Sequence, residues 1–192
     1  MFVSHTAGQA RVISAARALV RRRGYAGVSL RQIAAAAGYS PAGLYAHFPG
    51  REGILQGLAD VVRSELSARL EAAAAAEADP GAQLVEIGVA YIAFAQEHPA
   101  EFEVLFRLTR SRKRSFTDPR ASSMDLLRRI ARQVAPAATA DEIDVACLGM
   151  WAAAHGLATL RMVHLAEVTF DWDAWSRRIL RTHAENFLCP PP

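Results

Sequence analysis

The sequence predicts an all-α protein of about nine helices, and three observations support this fold class. Apolar residues recur at intervals of three and four along the 192 residues, as on the buried face of an amphipathic helix. No run alternates apolar and polar residues with the period of two that marks a half-buried strand. The apolar fraction of 52% can fill a sizeable core, and 21% charged residues is not the composition of a disordered chain.

Clear start and stop residues bound the first two predicted helices. The first runs from about Gly8 to Arg23, and Gly24 ends it as a C-terminal cap. Its predicted buried stripe consists of Val12, Ile13, Ala16, Leu19 and Val20. Ser29 is predicted to cap the second helix, with Gln32 completing a capping box, and Gly38 to end it.

The third helix is predicted to be short. Ser40 provides an N-cap and Pro41 occupies the first helical position. Its predicted end lies near Phe48, because Pro49-Gly50 stops it. Six further helices are predicted over about 51–76, 82–97, 99–108, 119 or 121–134, 139–164 and 173–188.

A turn at Asp79-Pro80-Gly81 is the first clear linker. We place the domain boundary within the fourth helix or at this turn, which gives predicted domains of 1–58 and 59–192. In the second domain, Thr139 is a predicted N-cap with Glu142 at the third helical position.

Composition excludes several classes of protein. The longest mostly apolar stretch without a charge, 145–160, has 16 residues, fewer than the about 20 that span a bilayer. No apolar run follows a basic start, so no secretory signal is expected. Only Cys147 and Cys189 occur, which excludes a disulfide scaffold and a Cys-rich zinc module. We therefore expect a soluble cytoplasmic protein.

Positive charge is concentrated in the first third of the chain. Residues 1–60 contain seven arginines against Glu52 and Asp60, which gives +5. Residues 61–192 contain 15 basic against 17 acidic residues, which gives −2. The asymmetry suggests a head that faces nucleic acid on a nearly neutral body.

The second and third helices have the arrangement of a helix-turn-helix, whose second helix enters the DNA major groove. Their N-termini, at Ser29 and Ser40, present N–H groups that can bind phosphates. Arg31 lies in the first turn of its helix, where the dipole disfavours a cation unless an external anion is present. Ala42 and Gly43 are small enough for close approach to the groove. Donors that can reach phosphate oxygens come from Tyr45, His47 and Arg51.

These elements together resemble a known family. They comprise Gly24-Tyr25, 28–34, 37–45, His47-Phe48 and 51–55. With this spacing, residues 8 to about 58 resemble the N-terminal DNA-binding domain of the TetR family of transcriptional regulators. The family often has Thr where Ser29 stands and Lys where Arg51 stands, and both replacements keep a hydroxyl or a cation.

The resemblance implies an all-helical homodimer that binds a double-stranded DNA operator and a small-molecule effector. Repression is the family's common mode, so we expect a repressor of a palindromic operator that the effector releases, with no cofactor or metal. Leu44 and Phe48 would pack inside. By analogy the DNA-binding residues would be Ser29, Arg31, Ser40, Pro41, Ala42, Gly43, Tyr45, His47 and Arg51.

In the second domain, Trp151, His155 and Gly156 are similar to a Trp…His-Gly element in the eighth helix of one branch of the family. Effector-binding candidates, which an ordinary core would also explain, are Tyr91, Phe94, Phe102, Phe106, Trp151 and His155. Small residues on the eighth helix suit close packing, so helices eight and nine of two subunits form our dimer hypothesis. Its candidates are Gly149, Ala153, Gly156, Leu160, Trp175, Ile179 and Phe187.

No residue spacing indicates catalysis, and the common metal and nucleophile motifs are absent from the sequence. The alternative function is an all-helical small-molecule carrier or enzyme without DNA binding, which gives no reason for the basic head. The basic segment Arg107–Arg114 is interpreted as a solvated loop. Arg21, Arg22 and Arg23 form either a DNA-facing patch or a favourable charge at a helix C-terminus.

Overall fold

The computed structural model describes residues 5–108, 122–165, 167–169 and 171–188. Within these ranges the backbone forms nine α-helices and one π-helical turn, without a strand. The helices are α1 Ala7–Arg23, α2 Leu30–Ala37, α3 Pro41–Leu44, α4 Arg51–Ala75, α5 Pro80–Glu97, α6 Pro99–Leu108, α7 Ser122–Val134, α8 Ala140–Thr159 and α9 Trp172–Leu188. The predicted all-α fold is confirmed.

Several helices begin with the side-chain caps that the sequence indicates. Thr139 caps α8, and its backbone N–H donates to Glu142 Oε2 at 2.7 Å. α1 also begins with a capping box, formed by Thr6 and Gln9, which the sequence analysis did not identify. The predicted buried stripe of α1 is confirmed.

The third helix is shorter than predicted, since α3 ends at Leu44 and not near Phe48. The Leu44 carbonyl accepts from the N–H groups of both His47 (2.9 Å) and Phe48 (3.0 Å), so the last residues form turns. Pro49 is the physical reason. The residue before a proline is disfavoured in the α region, which ends the regular helix about one turn early.

α8 also ends differently from the prediction of one continuous helix to His164. The α-helix stops at Thr159, and a π-helical turn follows over Leu160–His164. The Leu165 N–H donates to the Leu160 carbonyl at 2.7 Å, which is the bonding pattern of a π-helix. The other helix bounds lie within three residues of those predicted.

Residues 5–65 and 98–108 belong to one compact unit. It contains α1, α2, α3, the first part of α4, and α6, with α1 packed against both α2 and α6. Its most deeply buried large side chains are Val12, Val20, Ile33, Leu44, Ile54, Leu55 and Leu58. These side chains form the core of the unit, in which α2 packs against both α1 and α3.

Residues 66–97 and the described part of 115–192 belong to a second unit. In it α5 packs against α7, α8 and α9, and α8 packs against α7 and α9. A Cβ at Gly88 would lie 2.6 Å from Leu180 Cδ1, so the missing side chain allows α9 to approach α5 closely. By its packing, α6 thus belongs to the first unit. The domain bounds 1–58 and 59–192 remain a prediction.

Residues 140–163 form the one described segment that is long and apolar enough to cross a membrane by length and composition. It carries charged residues at both ends, and the uncharged apolar stretch within it is the 16 residues 145–160. A core helix of a globular protein can have the same length and composition, and α8 packs against three helices of its own unit.

Candidate DNA interface and effector site

α2 and α3 meet at a left-handed glycine. Gly38 has φ 72° and ψ 33°, a backbone conformation that side chains other than hydrogen disfavour. Its N–H donates to the Ala35 carbonyl, and the Tyr39 N–H donates to the Ala34 carbonyl at 2.9 Å. These bonds satisfy the last carbonyls of α2, so α3 can begin at Pro41 in a new direction. The result is a helix-turn-helix.

Serine caps fix both N-termini of this motif. Ser29 Oγ accepts from the Gln32 N–H at 3.3 Å, and Gln32 Oε1 accepts from the Ser29 N–H at 2.8 Å. Ser40 Oγ accepts from the Gly43 N–H at 3.0 Å. Helix N-termini attract anions, so an anion can bind at either capped end.

One side of α3 packs against the core and the other side is exposed. Leu44 and Phe48 are buried, as predicted, and attach the helix to the core. Tyr45 follows Leu44 and is 61% exposed. Most DNA-binding candidates are exposed, namely Ser29, Arg31, Ser40, Pro41, Ala42 and Tyr45, while Gly43, His47 and Arg51 are half-buried.

His47, which follows α3 in the chain, is held by contacts with α1. Gln9 Nε2 donates to the His47 carbonyl at 3.3 Å. A Cβ at Gly8 would lie 2.5 Å from His47 Cε1, so the imidazole rests directly on the α1 backbone. The Tyr39 ring meets the same imidazole edge to face at 5.0 Å. Neither Gln9 nor Tyr39 was predicted as part of the site. The Gln9 contact joins residues 38 positions apart, and no local pattern marks it.

Arg51 makes hydrogen bonds within the protein that were not predicted from the sequence. Its Nε donates to the Val28 carbonyl and its Nη2 to the Tyr25 carbonyl, both at 2.6 Å. The guanidinium also lies 4.8 Å from the centroid of the Tyr25 ring. Arg51 therefore ties the start of α4 to the loop before α2, and a phosphate contact would have to be made alongside these bonds.

A buried carboxylate joins α6 to α1. Glu101 is 1% exposed, and its Oε1 accepts from Arg17 Nε at 2.8 Å and Arg21 Nε at 2.7 Å. Burial alone would raise the pKa of Glu101, but the hydrogen bonds and charges of the two arginines outweigh it and hold that pKa below its usual value. Arg21 is thereby engaged within the protein, and Arg22 Nε donates to the Ala18 carbonyl at 3.3 Å.

The basic segment 107–114 lies outside the described residues except at its first two positions. Arg107 Nε donates to Glu103 Oε1 at 2.6 Å, and its guanidinium lies 5.4 Å from the Tyr25 ring centroid. Arg107 thus contacts other side chains of the first unit.

Three of the effector candidates form one hydrogen-bonded group. Trp151 Nε1 donates to Tyr91 Oη at 3.3 Å, and Tyr91 Oη lies 3.0 Å from His155 Nδ1. An indole N–H can only donate, so Tyr91 accepts there. Its own O–H can donate to His155 Nδ1 when the imidazole is neutral and carries its proton on Nε2. Burial raises the pKa of Tyr91 and lowers that of His155, which favours this arrangement.

The phenylalanine candidates divide between the two units. Phe94 is buried on α5, the helix that carries Tyr91. Phe102 and Phe106 lie on α6 in the first unit, with ring centroids 4.8 Å apart. The six predicted effector residues therefore do not share one unit.

The dimer candidates have different surroundings. Gly149 faces its own subunit, since a Cβ there would lie 2.4 Å from His183 Nε2 on α9. A Cβ at Gly156 would meet nothing within 4 Å. Ala153 is half-buried, Leu160, Trp175 and Ile179 are exposed, and the Phe187 side chain lies outside the described part of the chain. Further large apolar side chains exposed on or just after α8, which the sequence analysis missed, are Val145, Leu148 and Val163.

Among the described residues, no group of three or more His, Cys, Asp and Glu side chains is arranged to hold a metal ion. The described geometry is that of a helix-turn-helix head followed by a helical domain with a polar group formed by buried Tyr91, half-buried His155 and exposed Trp151. This combination defines a transcription regulator of the helix-turn-helix class.

Comparison with known proteins gives the family. Residues 12–58 match the family model described as bacterial regulatory proteins, tetR family. Residues 84–183, more than half of the chain, match the model described as tetracyclin repressor-like, C-terminal domain. The chain belongs to the TetR family of transcription regulators. No curated protein sequence matches it significantly.

Solved structures share the fold over nearly the full length. A protein of unknown function from Rhodococcus sp. RHA1 is 25% identical with a TM-score of 0.72, over 96% of this chain and 95% of that chain. A TetR variant from Acinetobacter baumannii in complex with minocycline is 18% identical, TM-score 0.68, over 92% and 93%. FadR from Bacillus subtilis in complex with stearoyl-CoA is 15% identical, TM-score 0.67, over 95% and 99%.

Proposed function

We propose that this protein is a repressor that binds a palindromic operator as a homodimer and is released by a small-molecule effector. The observation that carries the proposal is the helix-turn-helix, in which two capped helices meet at left-handed Gly38 and leave Tyr45 exposed. The excess of +5 in residues 1–60 supports it, because phosphate neutralisation dominates DNA affinity. We propose no enzymatic activity and, because the proposed repressor acts on DNA, a cytoplasmic location.

The proposed DNA contacts are Ser29, Arg31, Ser40, Pro41, Ala42, Gly43, Tyr45 and His47. The serine caps and the backbone N–H groups at the helix starts would position the head on phosphates. Ala42 is small enough to meet a thymine methyl group in the major groove. Arg51 enters this proposal as a positioning residue, because its hydrogen bonds hold the loop before α2.

A homodimer through α8 and α9 is proposed because both helices expose large apolar side chains. Trp175 is 57% exposed and Val163 is 64% exposed. Covering such surface contributes about 25 cal/mol per Å². The proposed interface comprises Val145, Leu148, Ala153, Gly156, Leu160, Trp175 and Ile179, with Gly149 and Phe187 at its flank. The two heads would then read half-sites about 34–36 Å apart.

The proposed effector site contains Tyr91, Trp151 and His155, with Phe94 on the same helix as Tyr91. A neutral hydrogen-bonding group within an apolar helical unit suits an organic molecule with little charge and one polar group. Phe102 and Phe106 are assigned to the first unit instead. A screen of small apolar acids, alcohols and aromatic compounds by thermal shift tests this assignment, and a ligand of the proposed site should lose its shift in His155→Ala.

The DNA proposal is tested by fluorescence anisotropy on duplexes from the region that flanks the coding sequence, followed by selection from random DNA. Saturable binding that excess nonspecific DNA does not remove is the expected result. Moving the two half-sites of the recovered operator apart by five base pairs places them on opposite faces of the duplex, so binding should weaken strongly. Failure to recover any preferred sequence would instead favour a small-molecule carrier.

A further inference from the structure

We propose that Arg11 of α1 is a DNA-phosphate ligand held in place by Tyr39 at the turn of the helix-turn-helix. The inference rests on the proposed DNA-binding function and adds a contact from a helix outside the motif itself. Three features of the first unit support it.

The first feature is the position of the guanidinium. Arg11 Cζ lies 5.3 Å from the centroid of the Tyr39 ring. A Cβ at Gly38 would lie 2.6 Å from Arg11 Nη2, so the guanidinium fills the space that this glycine leaves open. In a helix-turn-helix the first helix crosses the DNA backbone while the start of the second reaches the bases. A cation at the turn between them therefore faces the phosphates at the edge of the groove.

The second feature is how the other arginines of the first unit are engaged. Arg17, Arg21 and Arg63 pair with acidic side chains. Arg22 and Arg51 donate to backbone carbonyls. In the described part of the chain, Arg11, Arg23 and Arg31 make no hydrogen bond or ion pair. Of these three, only Arg11 is held at the turn by an aromatic ring.

The third feature is preorganisation. The Arg11 guanidinium lies over the Tyr39 ring, and that ring meets the His47 ring edge to face at 5.0 Å. His47 is itself fixed to α1 through the bond from Gln9 to its carbonyl. Arg11, Tyr39 and His47 thus form one connected row from α1 to the end of α3. A planar guanidinium stacked on an aromatic ring loses less freedom when it binds a phosphate than a mobile side chain does.

The test measures how affinity for the selected operator duplex depends on salt, for wild type, Arg11→Ala and Arg11→Lys. Each phosphate contact contributes about 0.9 to the slope of log affinity against log salt. Arg11→Ala should reduce the slope by about 0.9 per bound head, or about 1.8 for a dimer on both half-sites. Its affinity deficit relative to wild type should shrink by about 3.5-fold per head between 50 and 200 mM salt. Arg11→Lys keeps the charge and should keep the slope.

Arg63→Ala is the matched control, because Arg63 is a paired arginine of the same unit and should leave the slope unchanged. Circular dichroism should show equal helicity and Tm for both alanine variants. A slope in Arg11→Ala equal to that of wild type, with binding merely weaker at every salt concentration, would show a packing role and overturn the inference. An equal loss of slope in Arg63→Ala would overturn it too. Absence of operator binding by wild type would overturn the proposed function first.

Discussion

Tyr45 is the side chain on which the DNA assignment depends most directly. It is exposed, follows the buried anchor Leu44, and lies at the end of α3. Tyr45→Ala should weaken operator binding about 10- to 100-fold, because a hydrogen bond to a charged phosphate contributes about 1.5–3 kcal/mol. The Tm should not change, since the side chain supports no core contact. Anisotropy titration and thermal melts measure the two effects.

Tyr45→Phe separates the hydroxyl from the ring in the same assay. A phosphate contact through Oη predicts that Phe binds as weakly as Ala, whereas contact through the ring predicts that Phe binds like wild type. Wild-type affinity in both variants would show that α3 approaches DNA through other residues.

Tyr91 gives the corresponding prediction inside the second unit. Tyr91→Phe removes the acceptor of Trp151 Nε1 and the donor to His155 Nδ1. The loss should cost about 1–3 kcal/mol of unfolding free energy. It should also raise the pKa of His155, because the lost O–H stabilises the neutral imidazole. Denaturant melts and NMR titration of the His155 ring measure these changes, with the exposed Tyr45→Phe as the control for removing a hydroxyl. An unchanged His155 pKa would contradict the assigned proton positions.

Single residues could be predicted from sequence where their partners are local. Ser29, Ser40 and Gly38 act on neighbours within four positions, and their predicted cap and turn roles are observed. The sequence predicts Arg51 as a DNA contact, whereas its hydrogen bonds go to the Tyr25 and Val28 carbonyls. These partners lie more than twenty positions earlier in the chain. Nothing in the local pattern marks such partners, so a basic residue beside a DNA-binding motif is interpreted as a DNA contact.

The short helix α3 gives a prediction about caps. With four residues it has little stability of its own, so the bond from the Gly43 N–H to Ser40 Oγ fixes much of its geometry. Ser40→Ala should lower unfolding free energy by about 1 kcal/mol and also weaken operator binding. Ser14→Ala, at an exposed position within α1, is the control and should be neutral or slightly stabilising. Equal stability of the two variants in denaturant melts would show that the cap contributes nothing.

The link between α1 and α6 gives a pH-dependent prediction. Glu101→Gln removes the charge that Arg17 and Arg21 share, and should cost about 1.5–3 kcal/mol at pH 7. The pKa of Glu101 is lower in the folded than in the unfolded protein, so its stabilisation is present above about pH 4.5 and is lost as the pH falls through the folded value. The gap between wild type and Glu101→Gln in denaturant melts should therefore close at acidic pH. A gap that is constant with pH would assign the effect to shape and not to charge.

Helix existence was predictable from spacing and caps, whereas two helix ends and the place of α6 were not. α3 ends earlier than predicted, and α8 continues as a π-helical turn. In both cases a few residues near the end of the helix change the backbone conformation of its last turn. The bounds of α6, Pro99–Leu108, agree with prediction, yet its packing against α1 depends on Glu101 reaching residues eighty positions earlier. Periodicity shows that a helix has a buried face but not which helix covers it.

The proposed homodimer would place two heads on one palindrome, because one short helix reads few base pairs and a palindrome doubles them. The +5 excess of residues 1–60 would then contribute twice to binding of the same duplex, and we expect the affinity to depend steeply on salt. The body of the protein has the complementary property of exposed apolar side chains on α8 and α9. Both features were visible in the sequence as a charge asymmetry and an apolar helix, but the exposed residues themselves depend on which side α5 and α7 cover.

Dimerisation is tested by placing charge on both helices. Val145→Asp and Ile179→Asp substitute exposed side chains of α8 and α9, so each subunit should keep its helicity. Wild type should scatter light as twice the 20.8 kDa chain mass at micromolar concentration, and the double variant as one chain. The double variant should also bind a single half-site as well as a complete palindrome, because its heads are no longer joined. Ala68→Asp, at an exposed position of α4, is the matched control and should remain dimeric. A double variant that keeps the dimer mass would show that two subunits meet through another surface.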